Sequence, residues 1–391
     1  MQENRLCTEN FSNSFGIFSP SILERFKKRR VILAAARLAY FTLNILGVTV
    51  MPYLVRDPAA RMYSFITIVF LANIINALFS SGYSVWHLRF IPDEVRAEYF
   101  SFSALTTAIL GCGISLAASI TADALRGSAY ESTVIVALRI AAYIIAILDI
   151  TVLCLPKEYE YERGKGGPRL RDIFVKPLSH KAFALTILIL ALYNFFTQVP
   201  LSSLDYFLLN RVGVEYTLIS TINMFYPVFL FIFLPFWKKI LYRLGWFRTF
   251  ALGAALHIPT TLLYSCISPA NYMWVLPTVR LAQHFFGVGR NVACSNLLYI
   301  NMPGEDQTNY ISFYTLVINA ACFLGIMSGT GFVSAFPDLN ISIFGLNFRN
   351  VQVLMWVEMF GQFLVPFLVM KLLPIVGKGE EQARHSIYVK K

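Results

Sequence analysis

Polar side chains interrupt one long apolar stretch of this sequence at helical spacing. This polar stripe consists of residues three or four positions apart, which share one face of a helix: Arg280, His284, Gly287 and Asn291. Gln283 and Arg290 flank it. An arginine in the middle of a membrane helix costs roughly 2.5–3.5 kcal/mol, so at least one of the two is predicted to face a wet cavity. Arg290 could instead extend to the inner headgroups. His284 could carry a proton or act as a buried neutral imidazole.

Two further apolar stretches carry similar stripes. The first contains Asn73, Asn76, Ser80 and His87, and the second contains Asn194, Gln198 and Asp205, with Tyr193 alongside. In lipid such groups must face protein or water, so the stripes predict a polar path. For any single Asn or Ser the alternative is an interhelical hydrogen bond worth roughly 0.6 kcal/mol.

Four other charges fall within apolar stretches: Arg37, Arg139, Asp149 and Glu358. Arg139 and Asp149 lie about three turns apart on one predicted helix, so each needs a partner on another element. An interhelical ion pair is expected for either, and such a pair could hold two halves of the protein together. Glu358 is a candidate proton carrier.

The composition places these stretches in a membrane. Of 391 residues, 57% are hydrophobic and 14% charged, against roughly 45–50% and 25% in soluble proteins. Short basic loops account for the net charge of +11, and no nucleic-acid motif accompanies it. The six cysteines show no CxxC spacing, so neither a disulfide framework nor a metal site is predicted, and no cofactor motif occurs.

A bilayer core of about 30 Å needs roughly 20 apolar residues per helix, and about ten such runs occur. They are expected at 31–55, 62–85, 100–122, 133–155, 182–204, 217–236, 249–267, 272–300, 310–336 and 351–375. The runs lack the period-two alternation of barrel strands. The chain is therefore predicted to be an all-α integral membrane protein.

A basic segment divides these runs into groups of four and six. The predicted organisation is a tail with the remnant of a helix and a basic loop (1–30), a four-span N-terminal half (31–155), a cytoplasmic linker (156–181), a six-span C-terminal half (182–376) and a cytoplasmic tail (377–391). Segments predicted to lie inside hold about 23 Lys and Arg and those outside about five, which predicts a multi-pass protein with both termini in the cytoplasm.

The sequence also contains an internal repeat with a constant offset of 211 (303 − 92). The recurring residues are Pro92, Glu94, Tyr99, Ser101, Phe102 and Leu105, matched by Pro303, Glu305, Tyr310, Ser312, Phe313 and Leu316. Six spans separate the copies, so the repeats are predicted to be parallel. The alternative is convergence of two helix starts, where Pro and Glu are common.

With these features the chain resembles the major facilitator superfamily, whose members have two six-helix halves joined by a long cytoplasmic loop. Basic loop motifs carry the resemblance, with Glu24, Arg25 and Arg30 in the first half and Arg243, Gly245 and Arg248 in the second. It implies a two-bundle fold that lacks the first one to two helices, so the spans here correspond to family helices three to twelve. It also implies that the second, fifth and eighth spans, which carry the stripes, line the central path.

The resemblance implies a secondary active transporter in the cell membrane that moves a small solute by alternating access. Proton coupling is a further hypothesis from the scattered His and acidic residues, and the cationic eighth span favours an anionic or polyhydroxylic solute. A second hypothesis is an N-terminally truncated, inactive remnant. A third, a lipid transferase, needs clustered acidic or His residues, and none is seen, so no enzyme is predicted. The expected partners are the solute, protons and the lipid bilayer. The protein is expected to be a monomer.

Overall fold

The computed structural model describes residues 29–57, 60–61, 64–65, 67–76, 79, 96–155, 170–303, 307–343 and 346–380. Several predicted features lie outside the described residues: the tail 1–28 with Glu24 and Arg25, the path candidates Ser80 and His87, and residues 156–169 of the linker. The chain divides into two compact units, Met1–Pro168 and Arg169–Lys391.

The described part of the first unit is helical. Its helices are α1 (Arg30–Leu54, π-helical over Thr42–Gly47), α2 (Thr67–Asn76), α3 (Arg96–Ala124) and α4 (Glu131–Cys154). The turn before α2 is capped by Asp57, whose Oδ2 accepts from the Ala60 backbone N–H (2.7 Å). A carboxylate at this position satisfies a backbone donor that the first helical turn leaves free.

Polar side chains join α1 to α4 along their whole length. In order along α1 the pairs are Arg30 Nη1 to Cys154 O (3.1 Å), Arg37 to Asp149 (2.8 Å), Thr42 to Tyr143 (2.9 Å) and Thr49 to Arg139 (3.4 Å). The numbers rise along α1 as they fall along α4, so the helices are antiparallel. Because lipid offers no partner for these groups, each finds one on the neighbouring helix.

The second unit contains the remaining helices and one hairpin. They are α5 (Leu170–Ser179), α6 (Lys181–Gln198), α7 (Leu201–Phe207) with a π-helical turn (Leu208–Val212), α8 (Tyr216–Leu244), α9 (Trp246–Ser265), α10 (Tyr272–Ile300), α11 (Gln307–Ala335), β1 (Asn340–Ile343), β2 (Leu346–Arg349) and α12 (Asn350–Val376). The antiparallel strands pair Asn340 with Arg349 and Ile343 with Leu346, and they connect α11 to α12.

The helices of the second unit pack in the order α8, α10, α9, α12, α6, α11, with α5 against α11. Aromatic side chains such as Phe183, Phe247 and Phe250 are fully buried between them. The α9–α12 contact is polar: Thr261 Oγ1 donates to Gln362 Oε1 (2.9 Å), and Gln352 Nε2 donates to the Ser265 carbonyl (2.8 Å). This arrangement places α10 between α8 and α9.

The predicted spans coincide with these helices, with two corrections at their ends, except that only 64–65, 67–76 and 79 of the second span are described. The fifth span, predicted to end at Leu204, continues through a turn at Val199–Pro200 to Val212. The sixth, predicted to end at Phe236, continues to Leu244, because a helix can carry Lys and Arg at its C-terminal end, where they favour the helix dipole. It stops at Gly245, whose φ of +87° suits glycine. In the predicted linker, residues 170–179 form α5.

The repeat offset of 211 holds in the secondary structure. Helices α3 and α11 each contain 29 residues, and both ends differ by 211 (307 − 96 and 335 − 124). The turns before the second span and before α10 match as well. The Arg61 N–H donates to the Asp57 carbonyl and the Tyr272 N–H to the Ser268 carbonyl, again 211 apart (272 − 61). The same offset of 211 therefore relates the turn at 57–61 to that at 268–272 and helix α3 to helix α11.

Within the described residues, seven helices are long and apolar enough to cross a membrane: α1, α3 over Thr106–Ala124, α4, α6 with α7 over Lys181–Val212, α8, α11 over Asn309–Ala335, and α12. Helix α10, which carries the polar stripe, is long but less apolar. The chain is a multi-pass membrane protein, as predicted.

Candidate functional site

Arg280 begins the polar stripe of α10. Its Nη2 donates to Asn223 Oδ1 on α8 (3.4 Å) and its Nη1 to Gln283 Oε1 on the same helix (3.5 Å). Both contacts are long and both acceptors are neutral amides, so these two contacts orient the guanidinium only weakly. The side chain is half-buried.

His284 lies one turn further along α10 and also faces α8. Its Nε2 is 3.2 Å from the Ile222 backbone oxygen, and its ring lies 5.5 Å from that of Tyr226 and 6.4 Å from that of Phe229. A carbonyl can only accept, so Nε2 carries the hydrogen of this bond. This hydrogen bond fixes the orientation of the imidazole ring through Nε2.

Asn291 and Arg290 form the next part of the stripe. Asn291 Nδ2 donates to the Tyr226 hydroxyl (2.8 Å), and its Oδ1 accepts from Nε and Nη2 of Arg290, both at 3.3 Å. The guanidinium lies over the ring of Tyr193 on α6, 5.5 Å from its centroid. Arg290 therefore turns towards α6, which disagrees with the alternative that it extends along the helix to the headgroups.

Two glycines allow the neighbouring helices to approach this part of α10. A Cβ at Gly289 would lie 2.0 Å from the Trp237 ring of α8, and one at Gly253 of α9 would lie 2.7 Å from Arg290 Cβ. The Trp237 Nε1 donates to the Phe285 carbonyl across the first contact (2.9 Å). Small residues at such crossings permit close backbone packing in membranes, which here sets the position of the stripe.

The stripe has partners on α8 that the sequence analysis did not single out. Asn223 and Tyr226 contact Arg280, His284 and Asn291 between them. They stand three residues apart in the N-terminal half of α8, which puts them on one face. That spacing is the signal that could have identified them.

The polar residues predicted on the fifth span lie in different surroundings and do not form one polar path. Asn194 and Gln198 come together at Cys322 of α11, with contacts of 3.8 Å and 3.9 Å, so they lie at a helix–helix contact. Asp205 is exposed on α7. Tyr193 of the same span reaches the α10 stripe, where its ring lies under Arg290.

In the first unit, Asn73 is buried and its Nδ2 donates to the Val69 carbonyl (2.9 Å), whereas its Oδ1 has no partner within the described part of the chain. Asn76 is half-buried. At the repeat offset of 211, Asn73 corresponds to His284 and Ser80 to Asn291 (284 − 73 and 291 − 80). The two predicted stripes thus occupy matching positions in the two copies.

An apolar cavity of about 640 Å³ also lies in the first unit, and neither Asn73 nor Asn76 lines it. It lies beside the π-helical part of α1. Its lining residues are Leu46, Gly47, Val50, Met51, Leu54, Val55, Ser64, Thr67 and Ile68.

The remaining charged candidates have defined partners. Asp149 pairs with Arg37 and Arg139 contacts Thr49, so both serve the α1–α4 contact inside the first unit. The expected interhelical ion pair exists, but it joins two helices of one unit. Glu358 on α12 accepts from Gln362 Nε2 (2.9 Å).

The loop motif of the second unit surrounds the α8–α9 turn. Gly245 is buried at the turn, while Arg243 and Arg248 are exposed. Glu380 Oε1 accepts from the Trp246 backbone N–H (2.9 Å), so the end of the described chain caps α9. Arg30, from the corresponding motif of the first unit, lies in the α1–α4 contact.

We compared the sequence and the structure of the chain with those of known proteins. No family model and no curated protein matches the chain. Solved structures do. A bacterial homologue of the iron transporter ferroportin in an inward-facing state is 14% identical and aligns over 94% of this chain and 90% of its own, with a TM-score of 0.66. The nucleoside transporter NupG is 13% identical over 94% and 90%, with a TM-score of 0.59.

A D-xylose–proton symporter is 15% identical, with 96% of this chain and 87% of its own covered and a TM-score of 0.59. The chain has the major facilitator fold. The predicted fold class is thereby confirmed. Within the second unit, the α10 stripe and its α8 partners form one connected polar cluster. Within the described residues, no group of three His, Cys, Asp or Glu side chains could hold a metal ion.

Proposed function

We propose that this protein is a secondary active transporter that moves a small solute by alternating access, in which the solute faces one side of the membrane at a time. The observation that carries the proposal is the α10 stripe, in which Arg280, His284 and Asn291 meet neutral partners on α8. A membrane helix bears the cost of two arginines, roughly 2.5–3.5 kcal/mol each, where they face water or a ligand.

The similar structures support the same class of function. They are described as a homologue of an iron transporter, a nucleoside transporter and a proton symporter. Their sequences are only 13–15% identical to this chain, so the solute is not transferred from any of them. We place the protein in the cell membrane as a monomer with both termini in the cytoplasm.

Proton coupling forms the second part of the proposal. His284 and Glu358 are titratable groups within the membrane helices of the second unit, and each has a defined hydrogen-bond partner. Proton uptake by either group would change the charge at the site. A carboxylate or imidazole in such a position is therefore a candidate carrier of the coupling ion.

Reconstitution into proteoliposomes tests the proposal. We expect uptake of a radiolabelled solute by the full chain, an increase when a pH gradient is imposed, and loss of uptake in Arg280→Ala. Arg211→Ala is the matched control, because Arg211 is exposed at the end of α7. A folded protein that takes up no solute would favour the inactive remnant, and unchanged uptake in Arg280→Ala would remove this residue from the site.

A further inference from the structure

Arg290 carries a charge that has no acidic partner within the described part of the chain. The guanidinium contacts the Asn291 amide oxygen and the Tyr193 ring, and the ion pair found in the described residues joins Arg37 to Asp149 instead. Helices α6, α8, α9 and α10, which surround it, contain no Asp or Glu. These four helices therefore supply no carboxylate to Arg290, while Glu358 of the neighbouring α12 acts electrostatically on Tyr193, over whose ring the guanidinium lies.

The depth of Arg290 separates it from the lipid headgroups. Helix α10 runs from Tyr272 to Ile300, so Arg290 lies four residues, or about 6 Å, from its midpoint. A hydrocarbon core of about 30 Å places the headgroups roughly 15 Å from the centre. The guanidinium also turns sideways over Tyr193. An anion that meets it has to enter from an aqueous path.

Arg290 and Tyr226, which both have hydrogen-bond donors to spare, lie beside Gly287. Nε and Nη2 of Arg290 share one oxygen of Asn291, and Nη1 has no partner among the described residues. The Tyr226 hydroxyl accepts from Asn291, which leaves its own hydrogen to donate. A Cβ at Gly287 would lie 3.9 Å from both Arg290 Nη2 and Tyr226 Cε2. The glycine thus places no side chain between Arg290 and Tyr226, and a large residue at this position would contact both.

We propose that Arg290 and Tyr226, on either side of Gly287, bind a carboxylate or phosphate group of the transported solute. Two N–H groups and one O–H group are donors, and an anionic oxygen accepts from all of them. Asn291 positions both residues, since it contacts each with a different end of its amide. This inference rests on the proposed transport function and specifies the class of solute.

Chemical modification of arginine tests it on the full-length protein. The protein is reconstituted in discs of zwitterionic lipid and treated with phenylglyoxal, and modification of Arg290 and Arg211 is followed by mass spectrometry. An anion at ten times its Kd occupies most sites, so inorganic phosphate or succinate is expected to slow modification of Arg290 by about tenfold. Modification of Arg211 stays unchanged, and neutral D-xylose protects neither residue.

Two variants distinguish binding from a structural effect. Gly287→Leu fills the space without changing charge, so it is expected to abolish protection while the unfolding temperature of the protein stays within a few degrees of wild type. Tyr226→Phe removes one donor and is expected to weaken protection. Equal modification of Arg290 with and without both anions overturns the proposal, as does full protection in Gly287→Leu.

The remaining outcomes separate this inference from transport and from lipid binding. Protection by phosphate or succinate without uptake in proteoliposomes supports the anion site and contradicts the transport function. Uptake of a neutral solute that is unaffected in Arg290→Gln leaves transport intact and overturns the anion site. Protection that appears on adding anionic lipid alone assigns Arg290 to a headgroup, which also overturns it.

Discussion

The carboxylate of Asp149 lies 2.8 Å from the guanidinium of Arg37, between α4 and α1. Three other polar contacts continue this seam, so the charges that sequence patterning marks as unusual in the first unit act between two neighbouring helices. Polar contacts of this kind hold helices together where lipid offers no hydrophobic driving force.

Breaking this ion pair on one side is expected to be more costly than removing it whole. Arg37→Gln and Asp149→Asn each leave one charge in the membrane region without its partner, and a coupling energy of about 0.5–3 kcal/mol is expected in a double-mutant cycle. Unfolding of the four proteins in mixed micelles measures it. Additive effects of the two substitutions would show that the pair contributes nothing.

Gly289→Ala is expected to destabilise the second unit. The new methyl group would meet the Trp237 ring, which is 2.0 Å from its position, and overpacking of this kind costs about 1–3 kcal/mol. Gly331→Ala is the matched control on α11, where a Cβ meets no atom within 4 Å. There alanine should stabilise by about 0.5–1 kcal/mol through helix propensity. Thermal unfolding of the detergent-solubilised proteins checks the opposite signs, and equal effects would contradict the packing.

Asn301 ties the ends of three helices together. Its Nδ2 donates to Thr186 Oγ1 of α6 and to the Val376 carbonyl at the end of α12, both at 2.9 Å. Asn301→Ala should therefore lower the free energy of unfolding by about 1–3 kcal/mol, because these buried contacts are lost. Asn296→Ala is the comparison, since Asn296 bonds only to the Val292 carbonyl of its own helix. A loss as large in Asn296→Ala would show that any asparagine at this end of α10 has the same effect.

Orientation in the membrane follows from the distribution of Lys and Arg. The β1–β2 hairpin is expected outside and the end of α8 inside. Ser342→Cys in the hairpin and Tyr242→Cys in α8 are both exposed, and each is introduced into a background without the natural cysteines. An impermeant thiol reagent should label position 342 in intact cells and position 242 only after permeabilisation. The reverse pattern would invert the proposed topology.

Much of this fold could be predicted because its signals are local. Runs of about 20 apolar residues give the helices, and the repeat between Pro92 and Pro303 gives their internal correspondence. The stripe on α10 was also visible, since Arg280 and His284 lie one helical turn apart. Each of these features depends only on spacing along the chain.

The choice of neighbours could not be predicted in the same way. Periodicity shows that Asn194 and Gln198 share a face of α6, but not that this face meets Cys322 of α11. It likewise gives no reason for Asp149 to choose Arg37. Asn223 and Tyr226 were overlooked because α8 was not expected to line the path. Which faces meet is decided by packing between distant segments, as at Gly289 and Trp237.

The central claim is that the polar face of α10 meets water within the membrane. Asn291→Cys and Ser295→Cys replace exposed residues of that face, and Phe231→Cys replaces an exposed apolar residue of α8. In a cysteine-free background, a charged thiol reagent reacts with the ionised thiol, which requires water. Rapid labelling at positions 291 and 295, with none at position 231, is the predicted result. If positions 291 and 295 are as unreactive as position 231 from both sides of the membrane, the face meets lipid or protein and the transport proposal fails.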